Sequence, residues 1–116
     1  MDDARLSAPA IEAITGAVAV RVSPITFFEI GQKVRIGKWP EMEPHLDRLP
    51  EQLAGQGGLS ASLTPETALC AAALDWAHRD PFDRIIAATA ILSGAALVSA
   101  DTMFDTLPDR RLRRIW

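Results

Sequence analysis

The sequence predicts an α/β domain, a mostly parallel sheet with helices on both faces. Strand-length, β-branched runs alternate with segments of helical apolar spacing. Helix starts are marked by Thr64-Pro65 and Asp80-Pro81, and helix stops by Gly16, Gly37 and Gly94. At 116 residues, with 48% hydrophobic and 23% charged, the chain suits one domain spanning 1–116 with a real core and is short for two.

The elements follow in order. Ser7-Ala8-Pro9 and the apolar residues to Ile14 predict a short helix, with Ser7 or Ala8 near its cap and Gly16 as its stop. Ala17 to Val22 (AVAVRV) has the length and β-branching of a strand. Helical spacing resumes over Thr26 to Ile36 through Phe27, Ile30 and Val34, and Gly37 closes it. Pro40, Pro44 and Pro50 predict a broken connection with a helix at about Pro50 to Ala54 or slightly earlier. Gln56-Gly57-Gly58 reads as a turn and Leu59 to Leu63 as a short strand. Thr64-Pro65 opens a helix to about Trp76, and Asp80-Pro81 one to Ser93. Ala95 to Ser99 is a buried strand, Asp101 starts a helical turn, and Arg111 to Ile115 is a candidate last strand.

Composition narrows the function classes. The single Cys70, in an apolar setting, argues against a disulfide framework or a Cys-based zinc site and fits a small core residue in a reducing cytoplasm. No run reaches the roughly 20 apolar residues of a membrane span, and the amino terminus lacks a signal pattern, so a soluble, cytoplasmic protein is expected. A net charge of -3 speaks against a general electrostatic grip on nucleic acid. Basic residues nevertheless cluster at Lys33, Arg35 and Lys38, at Arg79 and Arg84, and in RRLRRIW.

The acids are the informative feature. In an open parallel sheet, ligands gather outside the carboxyl ends of the strands. A helix of eleven residues and a strand of five have similar lengths, about 16 and 17 Å. Asp83, opening a helix, and Asp101, just past the next strand, should therefore share one rim, with Glu29 projecting there too if the strands are parallel. Each also has a capping explanation: Asp80 as an N-cap before Pro81, Asp83 beside the helix dipole, Thr26 to Glu29 as a capping box, and Asp101 as cap of its turn. Capping does not explain three carboxylates on one rim, which repel unless cations neutralise them; hard oxygen donors suit Mg²⁺ or Mn²⁺.

Three stretches, SPITFFEIGQKVRIGKW, HRDPFDRIIAATAIL and LVSAD followed by a Phe, resemble the PIN-domain ribonucleases, in particular the VapC-type toxins of toxin-antitoxin pairs. The resemblance implies a PIN-like three-layer α/β domain and acids that bind Mg²⁺ or Mn²⁺ for RNA hydrolysis. It also implies a homodimer held silent by a VapB-type antitoxin. By position, Glu29, Asp83 and Asp101 match the family's metal-binding and catalytic acids, with Asp80 an additional acid placed behind them. Arg84, Arg79 and Lys33 are candidates for phosphate contacts to RNA. His78 is a tempting proton donor that reads more simply as a hydrogen-bonded surface residue.

Such domains usually begin with an apolar strand ending in Asp. Here Asp2 and Asp3 precede RLSAPA with no apolar strand before them, and neither is given the ligand role. The resemblance makes that strand central, so its loss would expose two strand edges. The expectation is a reading frame that begins further upstream, or a partner, swapped segment or rearranged sheet in the strand's place, with catalysis impaired without it.

Three functions are carried forward: a metal-dependent ribonuclease toxin, a catalytically impaired domain that binds antitoxin or dimerises, and a receiver-like phosphoacceptor. The last is disfavoured because no mid-chain strand-end Asp or matching late Lys is evident. Among the apolar residues, one of Phe27 and Phe28 is expected in the core and the other exposed. Ala68, Leu69, Ala72 and Ala73 form a stripe expected to face the core in preference to a dimer contact.

Overall fold

The computed structural model describes residues 6–116, so Asp2 and Asp3 lie outside the described residues. Two compact units divide the described residues: Ala19–Leu63, and residues 6–18 together with Thr64–Trp116. Helices and short parallel strands alternate along it, an α/β arrangement.

In the unit Ala19–Leu63, β1 (Arg21–Val22) pairs in parallel with β2 (Leu59–Ser60), Arg21 opposite Leu59. The flanking amides of Leu59 and Ala61 donate to the carbonyls of Val20 and Val22, both at 2.9 Å. Both strands are shorter than their apolar runs, and Val18 lies fully exposed before the ladder begins. α2 (Pro24–Arg35) starts two residues earlier than its spacing predicts. Ser23 is the N-cap, its hydroxyl accepting from the Ile25 amide at 3.2 Å, with Pro24 at the first helical position.

That start overturns the capping box expected at Thr26. The Thr26 amide is already bonded to the Ser23 carbonyl at 2.9 Å, so Glu29 sits in the second turn and has no cap to close. Phe28 is exposed, as one of the two rings was expected to be, but Phe27 is only half-buried; the residue of α2 that is buried is Ile25. Gly37, at φ 80°, adopts the left-handed conformation that ends the helix. The proline-rich connection is more regular than its sequence suggests: a 3-10 run over Pro40–Arg48 leads into α3 (Leu49–Gly55).

The other unit is built around two helices. α4 (Pro65–Ala73) is capped by Thr64, whose hydroxyl accepts from the Thr67 amide at 3.2 Å. It ends three residues short of Trp76, where Leu74 turns extended. α5 (Pro81–Ser93) is capped by Asp80 and closed by Gly94 at φ 64°. The two helices pack on small residues: Thr67 and Ala71 from α4, and Ala87, Ala88 and Ile91 from α5, are buried. Leu74, Trp76, Ala87, Ile91, Phe104 and Leu107 form the core, and the half-buried Cys70 packs against it. α1 (Ala8–Gly16), capped by Ser7, contributes the buried Ala10.

The stripe Ala68, Leu69, Ala72 and Ala73 is exposed, contrary to the expectation that it faces the core. The buried face of α4 is Thr67, Ala71 and Leu74, spaced i, i+4, i+7, and alanines on both sides of the helix leave its orientation ambiguous in the sequence. β3 (Leu97–Val98) pairs in parallel with β4 (Arg114–Ile115), Leu97 opposite Arg114. Among the described residues the strands thus form two separate two-stranded ladders, where one continuous sheet was expected. No described helix is long and apolar enough to cross a membrane.

Candidate metal centre

The loop from Leu74 to Asp80 and the first turn of α5 bring the relevant side chains together. Asp80 Oδ1 accepts from the amides of Phe82 at 2.8 Å and Asp83 at 3.2 Å, covering two of the donors that a helix start leaves open. The capping reading of Asp80 is therefore correct. With Pro81 fixing the entry, Asp83 falls at the third helical position, where the helix dipole favours a carboxylate.

His78 completes the group. Its Nε2 lies 2.7 Å from Asp83 Oδ2, and both side chains are about one-fifth exposed, at 21% and 22%. A carboxylate only accepts, so the imidazole N–H donates. Single ligand atoms of His78, Asp80 and Asp83 all lie within 4.8 Å of one another. Asp83 Oδ1 is bonded by no described residue and the Asp80 carboxylate stands beside it; carboxylate oxygens suit a hard divalent cation, so the residues fit one.

Arg84 holds this loop in place. Nε donates to the carbonyl of Ala71 (2.9 Å), Nη1 to those of Trp76 (3.0 Å) and His78 (2.9 Å), and Nη2 to those of Ala72 (3.3 Å) and Leu74 (2.6 Å). The last carbonyls of α4 have no partner within their own helix, and this guanidinium serves two of them. All five of its N–H groups are engaged, which leaves none for the RNA phosphate contact suggested by the sequence. A cation beside a motif acid looks solvated in the sequence; the signal available was the lack of any other cap for α4. Arg79 and Lys33 are exposed, as a phosphate contact requires.

Asp101 lies past the end of β3 and does not join the three-residue group. It caps the 3-10 turn Thr102–Thr106, accepting from the Met103 amide at 2.9 Å, and its own amide donates to the Ser99 hydroxyl at 3.1 Å. Nearby, Arg114 donates to Asp105 through two bonds of 2.8 Å and to the Ser99 carbonyl at 3.0 Å. Hydrogen bonding to Arg114 holds the Asp105 carboxyl below its usual range. Glu29 is half-buried on α2, in the other unit.

The residue whose importance the sequence understated is Trp76. Read as the end of a helix, it is a buried anchor instead, 7% exposed, with its indole N–H on the Thr106 hydroxyl at 2.8 Å. Its ring lies 4.9 Å from the His78 ring at a tilt of 56°. A family model described as the PIN domain matches residues 1–109. No curated protein and no solved structure matches the chain.

Proposed function

This chain belongs to the PIN-domain family, a fold of metal-using nucleases, and on that premise we propose that it is a metal-dependent endoribonuclease, the toxin of a VapBC-type pair. The observation that carries the reading is the placement of Asp83. It stands in the first turn of a long apolar helix with Asp80 and His78 as close neighbours.

In this reading Asp83 and Asp101 hold Mg²⁺ or Mn²⁺, together with Glu29, whose part is the one the family resemblance assigns. A bound divalent cation supplies the Lewis acidity that lowers the pKa of water and offsets phosphate charge during in-line displacement. Asp80 fixes the helix start and stands behind Asp83. Arg79 and Lys33 are exposed cations available to RNA phosphates. The RNA substrate puts the protein in the cytoplasm.

Partners follow from the same reading: a VapB-type antitoxin and a second copy of the chain. Each two-stranded ladder leaves its outer strand edges unpaired among the described residues, which suits pairing with a strand of the antitoxin or of the second copy. Those open edges also favour a second reading, a catalytically impaired domain that serves as an antitoxin-binding or dimerisation module.

The test is RNA cleavage by the purified chain with Mg²⁺ or Mn²⁺. Cleavage that stops with EDTA and in Asp83→Asn is expected. A stable, folded chain that leaves RNA intact with either metal would favour the binding module.

A further inference from the structure

We propose that His78 is a positioning residue for the Asp83 carboxylate: its N–H holds Oδ2 and thereby aims the other oxygen, Oδ1, at a bound cation. The inference rests on the reading of Asp83 as a metal ligand and assigns a role to a side chain outside that ligand set.

The geometry supports it from both ends. At the Asp83 end, the 2.7 Å contact is in the short range of charge-assisted hydrogen bonds, and no described residue bonds the other oxygen. A carboxylate in a helix's first turn otherwise turns broadly about its last torsion. One fixed bond to Oδ2 removes that freedom before a cation arrives, so less ordering is lost on binding.

At the His78 end, the imidazole is set by parts of the structure that do not move easily. Trp76, buried in the core and bonded to Thr106, places its ring 4.9 Å from the His78 ring. Arg84 holds the His78 carbonyl at 2.9 Å and the Trp76 carbonyl at 3.0 Å. Ion pairs on open surfaces tie down two mobile side chains and contribute little. Here the donor stands on a clamped loop, and the clamp springs from the residue next to Asp83.

Metal sites commonly use such outer partners to orient the ligating group, and their loss typically lowers metal affinity about 10- to 100-fold. The direct alternative is that His78 itself ligates the cation, through Nδ1, or through Nε2 once it gives up Asp83.

Two variants separate the hydrogen bond from the packing. His78→Phe keeps a ring against Trp76 and removes the donor; His78→Gln removes the ring and keeps an N–H at a similar reach. Calorimetric titration with Mn²⁺ is expected to show affinity about 10- to 100-fold lower in His78→Phe and largely retained in His78→Gln. Pulsed electron paramagnetic resonance of the Mn²⁺-loaded parent is expected to show no directly bound histidine nitrogen.

Equal affinity in His78→Phe and the parent overturns the inference, as does loss in His78→Gln with retention in His78→Phe. A bound-nitrogen signal that disappears in His78→Phe overturns it in favour of direct ligation. If the parent binds no Mn²⁺, the reading of Asp83 as a ligand fails and takes this inference with it. If the parent binds, Asp83→Asn does not, and His78→Phe binds like the parent, this inference fails alone.

Discussion

Arg84 donates to the carbonyl of His78 at 2.9 Å, so the residue after Asp83 in the chain fastens the residue whose ring is bonded to Asp83. Loop, helix start and carboxylate are thereby closed into one ring of contacts. Arg84→Ala opens it, leaves the carbonyls of Ala71, Trp76 and His78 without a partner in a partly buried setting, and leaves Leu74 only the Trp76 amide. The expected loss is about 3 to 5 kcal/mol, read by urea denaturation. Arg84→Lys should recover only part, because an ammonium cannot span carbonyls arranged for a planar fork. A loss under about 0.5 kcal/mol in Arg84→Ala, the range of an ordinary surface change, would contradict the clamp.

Asp80 combines two roles that a conservative change separates. Asp80→Ala should cost about 1 kcal/mol of stability through the lost cap, whereas Asp80→Asn should stay within a few tenths, since its amide oxygen accepts the same two amides. As a group behind the ligands, Asp80→Asn should weaken Mn²⁺ binding about 10-fold without abolishing it. Denaturation and calorimetry on the two variants check both statements.

Thr106→Val removes the acceptor of the Trp76 indole N–H. Thr106 is exposed and water can reach the site, so the expected cost is at the low end for a lost hydrogen bond, about 1 kcal/mol. The change should appear in denaturation and in the Trp76 fluorescence, with Trp39 and Trp116 substituted to isolate that signal.

The carboxyl-terminal ion pairs set an acid limit. Hydrogen bonding to the Arg111 side chain, then to its amide, lowers the Asp109 carboxyl to about 2, and Arg114 lowers Asp105. A carboxyl whose folded pKa is depressed stabilises the fold above its unfolded value of about 3.9 and loses that contribution as the pH falls through the folded one. Stability should therefore fall as the pH drops from about 4 to about 2. Asp109→Asn should flatten that part of a plot of melting temperature against pH.

The sequence is most legible where one local rule acts alone. Asp80-Pro81 and Gly94 bound α5 because a cap, a proline and a left-handed glycine each constrain the backbone where they stand. α2 shows the limit of such rules. Ser23-Pro24 and Thr26-Phe27-Phe28-Glu29 are overlapping start signals, and the first prevails because Pro24 presets the first helical φ and Ser23 already caps the turn. At the site, the capping role of Asp80 and the helix-start position of Asp83 were readable for the same reason. The role of Arg84 was not, because its partners are backbone carbonyls six to thirteen residues away. His78 was legible as a hydrogen-bonded residue; that its partner is Asp83 depends on α4 stopping at Ala73 and freeing the loop to turn back.

Calorimetric titration of Mn²⁺ into the intact chain and into Asp83→Asn tests the metal centre most directly. Saturable binding in the parent and its loss in Asp83→Asn, with unchanged helical circular dichroism, is the result expected. Equal binding by the two proteins, or no binding by the parent at millimolar Mn²⁺, would contradict the assignment of Asp83 to a metal.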